Sequence, residues 1–276
     1  MTDELRQAMA ALGAGAPHAS STNPGATSDL SIDEALLLHS IGWEPVDLVF
    51  GVGWWSIPWG AFQTWQAGEV TAASDAFGGA MREASEQLRH ESARAGGAGV
   101  VGVEIDISVH SHHVDVTLTG TAVRRIGEKP SGDEFLSDLS ARDFSLLIRA
   151  GWMPRGLVAG ASFVIAPRRS ARQWAAQKGQ NVELPNLTEA LYLARERAMD
   201  SMQQMGLGLH ADGVVNVKLR EGPLGHNPRI IQFVAVGTAV KLADSGHRSV
   251  EPMMVVPLDD PVLAFEAASL RAKPGS

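Results

Sequence analysis

Apolar and polar residues alternate at Val101, Val103, Ile105, Ile107 and Val109, and again at Val114, Val116 and Leu118. A period of two puts every second side chain on one face, so the pattern predicts a half-buried antiparallel hairpin. Upstream the period lengthens. Ala73, Phe77, Ala80, Met81, Ala84 and Leu88 fall on one stripe, which predicts a helix over about residues 71–95. Before it, Ser31-Ile32-Asp33-Glu34 reads as a capping box, with Leu36, Leu37, Leu38 and Ile41 following and Gly42 as a natural stop. That predicts a short helix over 31–41 leading straight into a strand near 45–53.

The same order then recurs. Asp29-Leu30-Ser31 returns as Asp138-Leu139-Ser140, and Gly42-Trp43-Glu44-Pro45 as Gly151-Trp152-Met153-Pro154. Gly99-Val100-Val101-Gly102-Val103 returns as Gly213-Val214-Val215-Asn216-Val217, and Gly120-Thr121-Ala122-Val123 as Gly237-Thr238-Ala239-Val240. The offset is 109 residues (29 to 138), then 114 (99 to 213), then 117 (120 to 237), so loops lengthened while the order held. A period of about a hundred residues is a duplicated domain. In the second copy Ser140 to Asp143 open the short helix and Gly151 closes it. A strand follows near 155–165. The main helix starts at Asn186-Leu187-Thr188-Glu189, and its stripe runs through Leu187, Ala190, Leu191, Ala194, Ala198, Met202 and Met205. Val215, Val217 and Leu219 are set against Ile231, Phe233 and Ala235, or against the other parity of that strand, across a loop containing His226.

The predicted fold class is therefore α+β: two tandem β-α-β-β repeats, each an antiparallel sheet with one main helix and preceded by a short helix. Residues 1–28 form an N-terminal tail or linker, with a short helix over Thr2–Leu12 and a structureless stretch from Gly13 to Thr27. Repeat 1 spans 29–127, repeat 2 spans 138–243, and 244–276 is a C-terminal extension. One helix on a three-stranded sheet leaves edges unpaired, which predicts association with other copies.

Composition narrows the function. With 45% hydrophobic and 20% charged residues over 276 positions, the chain has the make-up of an ordinary globular protein. It has no cysteine, so disulfides, thiolate metal sites and thiol catalysis are excluded. The net charge is −8, but residues 1–128 carry 16 acidic and 6 basic side chains and the remainder 15 and 17. An acidic chain lacks the basic footprint that nucleic acid needs. The opposite tendencies of the two halves favour one meeting the other, beside the plain reading of two solvated surfaces that drifted apart. No apolar run reaches the ~18 residues of a membrane span, and no secretory leader pattern stands at the N-terminus. A cytoplasmic location is expected.

Two clusters carry candidate chemistry. His110, His112 and His113 crowd one hairpin tip with Asp106 and Asp115 nearby, and imidazoles bind divalent Zn, Cu or Ni. The competing reading is a solvated polar turn. The second cluster is aromatic: Trp54, Trp55, Trp59 and Trp65, answered in repeat 2 by Arg168, Arg169 and Arg172. Tryptophan is enriched at interfaces, where an arginine from a neighbour adds cation–π attraction. Core burial or a small-molecule pocket are the alternatives. Met199, Met202 and Met205 read as helix packing before they read as a copper site. Nucleophile-elbow, phosphate-loop and zinc-protease motifs are all missing, so no catalytic residue and no bound cofactor are expected beyond a possible divalent metal.

The run Gly42–Gly51, the helix Ala72–Ala95, then Gly97–Val103 and Gly120–Val123 together resemble the YbjQ-like heavy-metal-binding domain. Gly151–Gly160, Leu187–Met205, Gly208–Val217 and Gly237–Val240 repeat the resemblance. It implies a dodecin-like fold and ring-shaped pentamers in which the sheets of neighbouring subunits join. Its motifs are motifs of fold and supply no catalytic residue, and the lack of cysteine departs from a heavy-metal role. The expected function is non-enzymatic: a structural scaffold whose partner is itself, closing into a pentameric ring or larger shell. The alternative is a divalent-metal protein using the His110–His113 hairpin.

Overall fold

A computed structural model describes residues 28–63, 66–128, 134–168, 184–225 and 227–243. The expected tail helix, the Gly13–Thr27 stretch and the 244–276 extension lie outside these residues, as do Trp65, Arg169, Arg172 and His226. The first repeat holds α1 (Ile32–Ser40), β1 (Trp43–Ser56), a 3-10 turn (Ala61–Gln63), β2 (Gly68–Glu69), α2 (Thr71–Ala95), β3 (Gly99–Val109) and β4 (His113–Arg125). The second part holds β5 (Phe135–Leu136), α3 (Ala141–Arg149), β6 (Trp152–Ile165), α4 (Pro185–Gly208), β7 (Gly213–Leu224) and β8 (Asn227–Leu242). The fold is α+β with the β-α-β-β order twice over.

Local chemistry sets these limits. The Ser31 hydroxyl accepts from Glu34 N–H while the Glu34 carboxylate accepts from Ser31 N–H at 3.0 Å, a complete capping box. Ser140 caps α3 through Asp143 N–H at 3.1 Å. Gly96 ends α2 at φ +80°, a left-handed turn that a side chain disfavours. β1 is longer than the expected 45–53 because β4 pairs with it from Trp43↔Arg125 to Ser56↔His113.

Two expectations need correcting. The sheets are four-stranded, in the orders β1-β4-β3-β5 and β2-β6-β8-β7. Each gains a two-residue strand from the other half of the chain. β2 pairs antiparallel with β6 (Gly68↔Ile165, Glu69↔Val164), and Val70 N–H continues the ladder to Phe163 O at 2.7 Å. β5 pairs parallel with β3 (Gly99↔Phe135, Val100↔Leu136). The strict alternation along β3 also fails. The register steps from Val101↔Thr121 to Glu104↔Thr119 through a bulge at Gly102, φ +65°. Val100 and Val101, adjacent and so on opposite faces, are both fully buried because both faces of the sheet are covered there.

The repeats stack in layers. α2 packs on β1 and β4 of its own sheet and, on its other side, on β6 of the second sheet. α4 packs on β6 and β8 from the far side. The order is thus first sheet, α2, second sheet, α4. One hydrophobic cluster joins Phe77, Ala80, Met81 and Ala84 of α2 to Val116 and Leu118 on one side and Leu157, Ala159, Ala161 and Phe163 on the other. Close approach depends on glycine. A Cβ at Gly53 would lie 1.8 Å from the Ala80 carbonyl oxygen, and one at Gly160 would lie 2.1 Å from that of Ala198.

Backbone oxygen cannot move aside as a side-chain end can, so Gly53→Ala is expected to cost about 1–3 kcal/mol through overpacking. Gly78→Ala, on α2 with only the flexible Arg82 Nη1 of the same helix near, at 3.7 Å, is the control and should be neutral or stabilising by up to about 1 kcal/mol. Urea unfolding of the two variants against the parent checks the pair.

Candidate functional site

Residues 110–112 reverse the chain between β3 and β4, and His110 N–H donates to His113 O at 2.9 Å. Ile57 N–H donates to His112 O at 2.8 Å, which ties the tip to the end of β1. Residues two apart on a strand share a face, so His113 and Asp115 point the same way, and the turn brings His110 over them. The Nε2 atoms of His110 and His113 each lie 3.4 Å from Asp115 Oδ2. The His110 and His113 rings stack at 4.3 Å, and Trp54 stacks on His113 at 5.1 Å.

His110, His113 and Asp115 each offer a ligand atom, all within 4.8 Å of one another. His112 stands apart from that set. Its ring meets His113 edge-on, and its Nδ1 lies 3.1 Å from the Ser111 hydroxyl. Spacing alone made the three histidines equivalent; the turn geometry does not. Asp115 was legible as a neighbour, but its place as the shared acceptor comes from strand register.

Burial pushes the His113 pKa below the ordinary histidine range, and the neighbouring His110 and His112 push the same way against the opposing pull of Asp115. His113 is therefore neutral at pH 7, the form that ligates a metal. His113 Nδ1 and Asp115 Oδ1 are buried without a hydrogen-bond partner among the described residues. A donor set of two imidazoles and a carboxylate suits Zn, Cu or Ni, and supplies three of the four positions of a tetrahedral ion. The residues present fit such an ion.

The described members of the aromatic and basic cluster take different places. Trp54 is engaged with His113. Trp55 is half-exposed and lies over α2, where a Cβ on Gly79 would come within 2.4 Å of its ring. Trp59 is exposed, and Arg168 is exposed beyond the end of β6. Met202 is buried, with Met199 and Met205 packed against the same apolar cluster, so these methionines build core. A cleft of about 550 Å³ lies away from the histidines, on the β3 edge, with Glu104 and Asp106 facing Lys218 and Arg220. Arg220 Nη2 donates to Ile105 O there at 3.3 Å, which makes the cleft part of the seam between repeats.

Residues 49–125 and again 176–243 match one family model, YbjQ_1, described as "Putative heavy-metal-binding". The chain belongs to the YbjQ-like family. Two copies of the domain stand in tandem, as the resemblance implied, and the second match leaves out β6, which the sheet pairing supplies. This tandem YbjQ-like chain is 32% identical over 241 residues to the encapsulin nanocompartment protein Rv1762c of Mycobacterium tuberculosis, covering 84% of this chain and 92% of the relative. Neither description names a reaction. Among the described residues, no helix of the YbjQ-like pair is long and apolar enough to cross a membrane.

The His113 shift has a signed consequence. Its folded-state pKa lies below the unfolded value of about 6.5, so folding favours the neutral ring. That stability is complete above the unfolded value and is lost as pH falls through the folded one. Denaturation midpoints measured from pH 7.5 down to 5 should fall with acid, and His113→Gln should flatten that slope. A slope unchanged in the variant would place the acid sensitivity elsewhere.

Proposed function

We propose that this chain is a non-enzymatic, self-assembling structural protein of the cytoplasm, closing into a ring or shell by repeating between copies the contact its two halves make within one. The observation that carries this reading is the open layer order. Leu157, Ala159 and Ala161 of β6 lie under α2. Their counterparts 109 residues earlier, Leu48, Phe50 and Val52 of β1, face outward, with Phe50 61% exposed where Ala159 is 7%. At the other end of the stack α2 is buried on two faces, whereas α4 buries only the row Ala190, Ala194, Ala198, Met202 and Gly206. An exposed apolar sheet face at one end and a half-used helix at the other suit each other, and joining them head to tail repeats until the path closes. The relative's name connects it to an encapsulin nanocompartment, and an assembling chain fits that setting.

The second reading is divalent-metal binding at His110, His113 and Asp115, supported by their convergence and by the family description. The fourth ligand is then water or a group from a neighbouring copy. Native mass with and without EDTA separates the readings. A discrete assembly that survives EDTA is expected. A monomer at every concentration would overturn the scaffold, and dissociation by EDTA would make metal its organiser. Metal content after dialysis against zinc addresses the second reading alone: about one ion per chain, lost in His110→Ala with His113→Ala, supports it, and no retained ion removes it.

A further inference from the structure

A four-residue segment lies in the seam between the repeats, and that segment occurs twice while, among the described residues, its seat is filled once. Ser137-Asp138-Leu139-Ser140 runs along the outer edge of β3. Ser137 N–H donates to Val100 O at 2.9 Å, Val103 N–H to Ser137 O at 3.0 Å, and Gly102 N–H to Leu139 O at 2.8 Å. Asp138 anchors the segment to its own repeat. Its N–H donates to the Thr238 hydroxyl at 3.0 Å, and that hydroxyl donates to Asp138 Oδ1 at 2.6 Å. Asn216 Nδ2 and Lys218 Nζ reach Oδ2 at 2.9 and 3.2 Å. The helix that follows turns Ala141 inward, fully buried in a cluster with Val101 of β3.

Ser28-Asp29-Leu30-Ser31 is the same sequence in the first repeat. Asp29 N–H meets the Thr121 hydroxyl at 3.4 Å, the counterpart of the Asp138–Thr238 contact, so the segment is already anchored to its own repeat. Its outer side pairs with no strand among the described residues. Behind it α1 holds Ile32 82% and Leu36 65% exposed, at the positions where α3 has buried Ala141 and Ser145. The matching vacancy is in the second sheet. β7, the counterpart of β3, is an edge strand among the described residues: Val217 is exposed and Val215 half-buried where their counterparts Val103 and Val101 are buried, and Leu219 is exposed where Ile105 is half-buried. β7 also keeps the geometry of the seat. Asn216 adopts φ +55° where Gly102 adopts +65°, within the same bulge that turns the Gly102 N–H toward Leu139.

We infer that the β7 edge is the seat for a second copy of this chain: Ser28–Ser31, with the Ile32 and Leu36 face of α1, docks along Val214–Leu219 of the next molecule. The inference rests on the assembly reading and names its contact. Asn216 N–H donates to Leu30 O, Val217 N–H to Ser28 O, and Ser28 N–H to Val214 O. Ile32 and Leu36 cover the valines of β7. The acidic half of one copy meets the basic half of the next, as the charge counts favour. Donor and seat are different surfaces, so the contact is heterologous and propagates.

The chain has no cysteine, which makes a directional test clean. Ser28→Cys and Val217→Cys chains are prepared separately and treated with a short bis-maleimide. A covalent dimer is expected only when the two are mixed. Ile32→Glu with Leu36→Glu changes side chains already exposed within one chain, so circular dichroism should be unchanged while native mass falls to the 29.3 kDa monomer. If the parent assembles but the mixture gives no dimer, or a lone variant links to itself, or the double Glu variant keeps its mass, the docking mode is wrong and the assembly stands. If the parent is itself a monomer, both readings fall.

Discussion

Unpaired backbone at the rim of a sheet is the constraint from which the rest of this architecture follows. An edge strand presents a row of N–H and C=O groups that associate unless something covers them. A lone domain of this kind has two such edges and one helix. Here each repeat covers an edge of the other, β5 on β3 and β2 on β6, and the exchange fixes one repeat against the other. Helix side chains cover part of what remains: Gln87 Oε1 accepts from Val52 N–H at 3.1 Å on the side of β1 that pairs with no strand among the described residues.

Burial follows from the exchange. Once β5 seats on β3, Val101, Phe135, Leu139 and Phe144 close into one cluster with Trp43, whose ring meets Phe135 and Phe144 edge-on at 5.8 and 5.3 Å. The Asp138 carboxylate is fully enclosed, and its cost is offset by the Thr238 hydroxyl, the Asn216 amide and the Lys218 ammonium around it. The histidine tip lies at the far end of the same hairpin, where the sheet meets solvent.

Much of this was legible in the chain. The α2 stripe set the helix limits correctly because 25 residues of one period leave little ambiguity. The duplication showed in its glycines, of which Gly53 and Gly160 mark close approaches to a helix backbone that leave no room for a side chain. The two lent strands were invisible, because two residues have no period. Three histidines in four positions pointed to a cluster but not to its membership, since that depends on which way a turn carries each ring. The repeated Ser-Asp-Leu-Ser was readable as a repeat, while its role as a seam needed the hydrogen bonds of Ser137 and Asp138.

The sandwiching of α2 between the two sheets has an arithmetic consequence. One chain contributes two domains and one finished joint, so a closed circuit of chains joined the same way always contains an even number of domains. Joined that way, a circuit of five domains is closed to this protein. Five chains would make ten domains, with the clustered His110, His113 and Asp115 of each first repeat at every second position around the circuit.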